Sequence, residues 1–185
     1  MYRTLFLGGI LLFMVGCSAV PESLQTASDK PITNVQSLIA TPELMQGQEV
    51  RLGGVIASIK NEENQTRLEI SAMPLTSDGR PVLGAKPQGR FIAYENGFLE
   101  PMEYAPGRLV SVVGHFRGME KGKVGEFDYN FPVIDATGDQ IWQVHQEVRI
   151  DDVYPPCFGR YCHRYWRNYP YRGPMRGQVI QRVTP

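Results

Sequence analysis

EVRLGGVIASIKNEENQTRLEISA, residues 49–72, is the stretch whose reading decides the fold of this chain. From Glu49 to Ile59 the side chains alternate, with Val50, Leu52 and Ile56 pointing one way and Arg51, Val55 and Ile59 the other, the period of a half-buried strand. Gly53-Gly54 in its middle allows the strong bend that a small barrel needs. Asn61-Glu62-Glu63-Asn64 reads as a turn and Thr66 to Ala72 as a second strand, so the two form a hairpin.

Strand signals continue toward the C-terminus. Ser77-Asp78-Gly79-Arg80-Pro81 is a turn signal, and Gly89 to Tyr94 reads as a third strand. A crossing punctuated by proline and glycine, NGFLEPMEYAPG, then leads to Arg108–Arg117, where Val110, Val112 and Phe116 share a face with Gly114. A glycine-rich turn is expected over Met119–Gly125, a last strand near Tyr129–Ala136, and then Ile141-Trp142. On the N-terminal side, Thr41 as N-cap, Pro42 at the first helical position and Gly47 after the last predict one short helical turn. Five strands within about 90 residues, with no long helical period between them, predict a mostly β protein: a small five-stranded OB-like β-barrel preceded by a helical turn. An antiparallel sandwich is the alternative this pattern leaves open.

Ahead of all this stand Arg3, an apolar run from Leu5 to Val15 interrupted only by Gly8 and Gly9, and Met14-Val15-Gly16-Cys17. The run is too short to span a bilayer, which needs roughly 20 residues, and has the form of a signal-peptide apolar region. Its ending resembles the bacterial lipobox, with Met14 in place of the commoner Leu. That resemblance implies cleavage before Cys17, a diacylglycerol thioether on its sulfur and an N-acyl chain on the new terminus. An ordinary secretory signal, or a buried strand with an incidental cysteine, is the plainer alternative. Ser18, instead of the Asp that often retains such proteins in the inner membrane, favours the outer membrane.

The expected organisation is a signal peptide over 1–16, a lipid-anchored tether over 17–33, the barrel over 34–152 and a basic, aromatic-rich, irregular tail over 153–185. Charge divides the same way. Residues 17–152 hold 12 Lys/Arg against 19 Asp/Glu, whereas residues 153–185 hold six Arg and no acid.

The blocks VRLGGVIASIKN, TRLEISAMPLTSDGRP, QGRFIAYENGFLEPMEY, GRLVSVVGHFRG and KVGEFDYNFPVI, and finally IW, occur in an order that resembles the Slp-type, starvation-inducible outer-membrane lipoprotein family. The resemblance covers roughly residues 17–155. It implies an outer-membrane lipoprotein associated with starvation or stationary phase. It implies no enzymatic activity and carries over no catalytic residue.

The tail, YPPCFGRYCHRYWRNYPYRGPMRG, interleaves arginine with aromatic rings and is broken by Pro and Gly, which excludes a long helix. Arg160, Arg164, Tyr165, Trp166 and Arg167 are candidates for binding anionic groups by charge and stacking. An address in the envelope excludes nucleic acid. The partners that fit are outer-membrane lipid, an anionic envelope glycolipid, peptidoglycan or an envelope protein, while the plainer reading packs the aromatics on the barrel. Cys157 and Cys162 are expected to pair as a disulfide in an oxidising compartment, in preference to a metal site with His163. By analogy with OB folds, Arg67, Arg90, Phe91 and Tyr94 are candidate ligand contacts on the strand 2–3 face. His115 and His145 have no motif partner, and no nucleophile elbow, phosphate loop or metal motif occurs. No catalytic residue, metal or cofactor is expected beyond the lipid on Cys17. A non-enzymatic envelope module is therefore the expectation, with an enzyme acting on envelope material through a site built from His115, Glu126 and Asp128 as the alternative.

Overall fold

A computed structural model of the chain describes residues 20–150 and 177–185. Cys17, Cys157, Cys162, Arg160, Arg164, Tyr165, Trp166 and Arg167 lie outside the described residues.

Six strands run in chain order: β1 (Glu49–Asn61), β2 (Gln65–Ala72), β3 (Arg90–Asn96), β4 (Leu109–Val124), β5 (Phe127–Ile150) and β6 (Gly177–Thr184). Their order in the sheet is β3-β2-β1-β4-β5-β6, and β3 also pairs with β5, so the first five strands close into a ring. Every pairing is antiparallel except β3–β5, where Ile92, Ala93 and Tyr94 lie beside Val133, Ile134 and Asp135.

Alternation fills the ring. Val50, Leu52, Ile56, Leu68, Ile70, Phe91, Val110, Val112, Phe116 and Ile134 meet in one buried interior cluster. Full burial of side chains of this size contributes roughly 1.5–3 kcal/mol each. The paired glycines of β1 serve close approach: a Cβ on Gly54 would strike the Ser71 carbonyl, and one on Gly53 would come 2.7 Å from the Val110 oxygen. Ile59 departs from the expected pattern. A register shift between Ile56 and Ser58 turns it back toward the interior cluster instead of leaving it with Arg51.

Short helices close one end of the ring. The expected turn is α2 (Pro42–Met45), and ahead of it lies α1 (Val35–Ala40), capped by Asn34, whose side chain accepts from the Gln36 N–H. Val35 and Leu38 of α1 are fully buried in the interior cluster. Gly47, with φ of +76°, turns the chain into β1 and donates its N–H to Phe116. The crossing over residues 97–108 covers the opposite end, with Leu99 and Tyr104 against the same core. It is pinned by Asn61 Nδ2 donating to Leu99 O at 3.1 Å and Thr66 Oγ1 donating to Gly97 O at 2.8 Å.

Three expectations are corrected. Residues 119–124 are strand rather than turn, and the reversal is confined to Gly125 (φ +60°) and Glu126 between β4 and β5. Gly122 instead leaves room for the Phe131 ring, 3.0 Å from where a Cβ would sit. The C-terminal segment is not irregular throughout: the β-branched run GQVIQRVT forms β6 along Gln143–Ile150. Nor is residues 20–33 a free tether. Leu24, on a 3₁₀ turn (Glu22–Leu24), is fully buried, and Ile32 bridges Val50.

Leu24 belongs to a second cluster, on the outer face of β1, β4 and β5, with Met73, Leu109, Val113 and Trp142. A chain of hydrogen bonds fixes it: Trp142 Nε1 donates to Ser111 Oγ at 2.9 Å, and that hydroxyl donates to Gly79 O at 2.6 Å. Residues 73–85 and the N-terminal segment thereby cover this face with the chain's own apolar side chains.

Candidate functional site

The opposite outer face, formed by β2, β3 and the β4–β5 hairpin, is where Arg67, Arg90 and Tyr94 come together. On β2 the inward residues Thr66, Leu68, Ile70 and Ala72 leave Arg67 and Glu69 outside. On β3 the same alternation puts Arg90, Ile92 and Tyr94 outside and Phe91 inside, so Phe91 is a core residue with no exposure and not a ligand contact. Arg67 and Tyr94 are cross-strand neighbours. Both reach Glu120 on β4: the guanidinium at 3.3 Å, and the Tyr94 hydroxyl donating at 2.9 Å. Burial and then this hydrogen bond push the Tyr94 phenol above its ordinary pKa.

The other cations of this face are also held. Arg90 pairs with Glu69, and its backbone N–H donates to the Tyr129 hydroxyl at 3.0 Å. Arg117 pairs with Asp135, which raises the guanidinium pKa, and its charge lies 4.8 Å from the centre of the Tyr94 ring. Arg67 lies 5.9 Å from the centre of the Phe131 ring. Beneath these side chains Ile92, Phe131 and Val133 form a small buried cluster edged by Tyr94, Val124 and Tyr129. The result is a lattice in which guanidinium groups alternate with carboxylates over aromatic rings. Its groups are already fixed in orientation, which lowers the ordering cost of binding a polar ligand.

A second chemical feature lies at the ring end under residues 97–108. Glu95 projects inward from β3 and is only 8% exposed, and its Oε1 has no hydrogen-bond partner. Burial, and then the neighbouring Asp139 carboxylate, pushes the Glu95 carboxyl up to about 7. Asp139 is itself raised by burial, although the Tyr104 hydroxyl donates to its Oδ2 at 2.7 Å and opposes that rise. Tyr104 is shifted up by burial and by this bond. A cavity of about 310 Å³ borders the group, lined by Glu103, Tyr104, Arg108, Asp139, Gln140, Ile141, Gln143 and Pro185. Glu95 is not among its lining residues, so the carboxyl with the most displaced titration does not face the open space.

The residues weighed for the enzyme alternative are not brought together. His115 lies opposite Asp135, whereas Glu126 and Asp128 are at the hairpin tip, where Lys123 faces Asp128. Eight residues of strand separate the two positions, on the order of 25 Å. Among the described residues no group of His, Cys, Asp and Glu is arranged to hold a metal ion, and no helix is long and apolar enough to cross a membrane.

Sequence reasoning missed Glu95, Tyr104 and Asp139. The signal for Glu95 was available: Phe91, Ala93 and Glu95 occupy successive inward positions once β3 is carried past Tyr94.

Comparison with known proteins places these features in a family. The model of the outer membrane lipoprotein Slp family matches residues 14–174. Among individual proteins, the chain is 38% identical over 149 residues to the uncharacterized lipoprotein YeaY of Escherichia coli, covering 80% of this chain and 75% of that one. It is 28% identical over 176 residues to the outer membrane protein Slp of the same organism, covering 93% and 90%. An uncharacterized protein of Haemophilus influenzae is 33% identical over 176 residues, covering 90% and 93%. No solved structure matches the chain.

Proposed function

Because the chain belongs to the outer membrane lipoprotein Slp family, we propose that it is a non-enzymatic envelope module, held in the outer membrane by lipid on Cys17, whose β2–β3 face binds an anionic envelope glycan. The ring order β1-β2-β3-β5-β4, closed by a parallel β3–β5 pair, supports reading it as an OB-like barrel. The association with starvation or stationary phase is carried by the family resemblance alone.

One observation carries the binding reading: the Arg67–Glu120–Tyr94 unit, flanked by Arg90–Glu69 and Arg117–Asp135, forms a continuous planar-donor and aromatic surface. Sugars bearing carboxylate or phosphate suit it. Their anionic groups compete for the guanidinium forks, and their hydroxyls are met by the carboxylates. The test uses the full chain on purified sacculi and on lipopolysaccharide vesicles. Arg67→Ala and Tyr94→Phe should weaken retention several-fold without changing the circular dichroism. Retention equal to the parent protein would remove this face from the account. The same assay with Arg160, Arg164 and Arg167 changed to Gln asks whether the arginine-aromatic segment contributes; deleting residues 153–185 is not equivalent, since that also removes β6.

The enzyme alternative is favoured by one feature, the buried Glu95 beside Asp139 and Tyr104. Its weakness is access, because Glu95 does not line the neighbouring cavity.

A further inference from the structure

We infer that the β5–β6 ribbon has a membrane-facing side, the one carrying Val144, Val148, Val179 and Val183, and that the lipid surface holding the Cys17 anchor is what covers it. The inference rests on the lipid attachment proposed above.

Beyond Trp142, β5 leaves β4 and continues paired only with β6, Gln143 opposite Thr184 through to Ile150 opposite Gly177. Residues directly opposite in an antiparallel pair share a face. One face therefore carries Val144 with Val183, Gln146 with Gln181, and Val148 with Val179. The other carries His145 with Arg182, Glu147 with Ile180, and Arg149 with Gln178, and is crossed by the Arg182–Glu147 ion pair at 3.5 Å. Within the ribbon, charge is confined to one side and exposed valine to the other; the charge at the base of the valine side is Arg80, which pairs with Asp78, donates to Val183 O at 3.0 Å and lies 5.8 Å from the centre of the Trp142 ring. Val148 and Val179 remain 66% and 62% exposed, and Val144 43%.

The position of the N-terminus identifies the occupant. Trp142 and Val144 are two residues apart on β5 and share a face, and Trp142 belongs to the outer cluster that contains Leu24. Val20 and Val183 pack against that same cluster. The valine face is thus continuous with the place where the chain arrives from its anchor. Cys17 is three residues before Val20, and three residues reach at most about 11 Å. A lipid on Cys17 therefore brings the bilayer surface to this side of the molecule, where a two-stranded ribbon with apolar side chains on that side and charge on the other can lie along it. Interfacial attachment of this kind scales with the apolar area it buries and reinforces a covalent lipid.

The experiment uses the full-length, lipidated chain in phosphatidylethanolamine/phosphatidylglycerol vesicles. A cysteine is introduced as Val148→Cys or, on the opposite face, as Glu147→Cys, with Cys157 and Cys162 changed to Ser, and is labelled with an environment-sensitive fluorophore. Brominated lipid should quench the label at 148 several-fold more than the label at 147. A readout without new cysteines compares amide exchange over 143–150 and 177–184: vesicles should slow it in the parent chain and leave it unchanged in V148D/V179D. Equal quenching at the two positions in protein that floats with the vesicles and carries diacylglycerol on Cys17 by mass spectrometry overturns the inference and leaves the lipoprotein reading standing. Oxidation of unlabelled V148C chains with copper phenanthroline to a disulfide-linked dimer, in a protein whose labelled form shows no quenching, assigns the face to a second copy and equally overturns it. Absence of lipid on Cys17 takes down both.

Discussion

The two outer faces of the ring start from the same strand alternation and end in opposite states. On the β1–β4–β5 side, the outward residues Leu109, Val113 and Trp142 are sealed by Leu24, Met73 and their neighbours, and the polar atoms at the seam satisfy one another through Ser111. On the β2–β3 side the outward residues are charged, and their satisfaction comes from ion pairs at the surface rather than from cover. The first arrangement is stability; the second is a surface that keeps its geometry while remaining reachable. A sheet face left open needs internal pairing of its charges to stay ordered, and that pairing is itself worth little to folding.

Breaking the sealed face should have the largest effect. Trp142→Ala removes its central side chain and should cost about 3–5 kcal/mol, read as a fall in denaturant midpoint; a loss below about 1 kcal/mol would mean that the cover from residues 20–32 and 73–85 does not hold the sheet. Next comes the interior side of β3, the strand that contributes Arg90 and Tyr94 to the open face. Glu95 has its folded pKa raised from 4.5 to about 7, so the folded state binds its proton more tightly than the unfolded state. Stability is then full below pH 4.5 and declines as pH rises through about 7, by on the order of 3 kcal/mol. Glu95→Gln should flatten that decline in urea titrations across this window; an unchanged slope would assign the decline to other groups. Ser111→Ala leaves Trp142 Nε1 and Gly79 O without their shared partner and should cost about 1–3 kcal/mol by thermal melting. The smallest effect belongs to the open face: Arg67→Ala should change stability by less than about 1 kcal/mol while weakening glycan retention. A larger destabilisation would make the ion-pair lattice structural and erase the contrast between the faces.

Inward and outward positions were legible in residues 49–72 because period-2 alternation is a local property of the backbone, except at Ile59, where the register shift after Ile56 reversed the parity. Which outward face becomes covered was not, since the cover comes from Leu24 and from Met73 to Ala85, distant in sequence and lacking a period of their own. The length of β5 was hidden because the expected strand over Tyr129–Ala136 ended short of Thr137 and Gly138, whereas β5 runs on to Ile150. In the structure Pro132 lies opposite Met119 within the ladder, and Gly138 lets the Ser23 carbonyl approach where a Cβ would collide. β6 was obscured by the proline- and glycine-rich composition just before it. Of the candidate contacts, Arg67, Arg90 and Tyr94 were found together because they alternate with core residues, and the same rule excludes Phe91, the immediate neighbour of Arg90. The Glu95–Asp139–Tyr104 group joins two strands and a crossing, a juxtaposition no short motif encodes.

The parallel contact of Ile92–Tyr94 with Val133–Asp135 has a consequence for biogenesis. Until the chain is available as far as Asp135, β3 and its partners form an unclosed sheet with bare edges, the form in which strands recruit foreign chains. Closure spans about 40 residues of sequence and is therefore a late, slow event on the scale of local hairpins. The edges of β3 and β5 are bare only in that interval, and their meeting leaves the β5–β6 ribbon as the place where strand edge remains open.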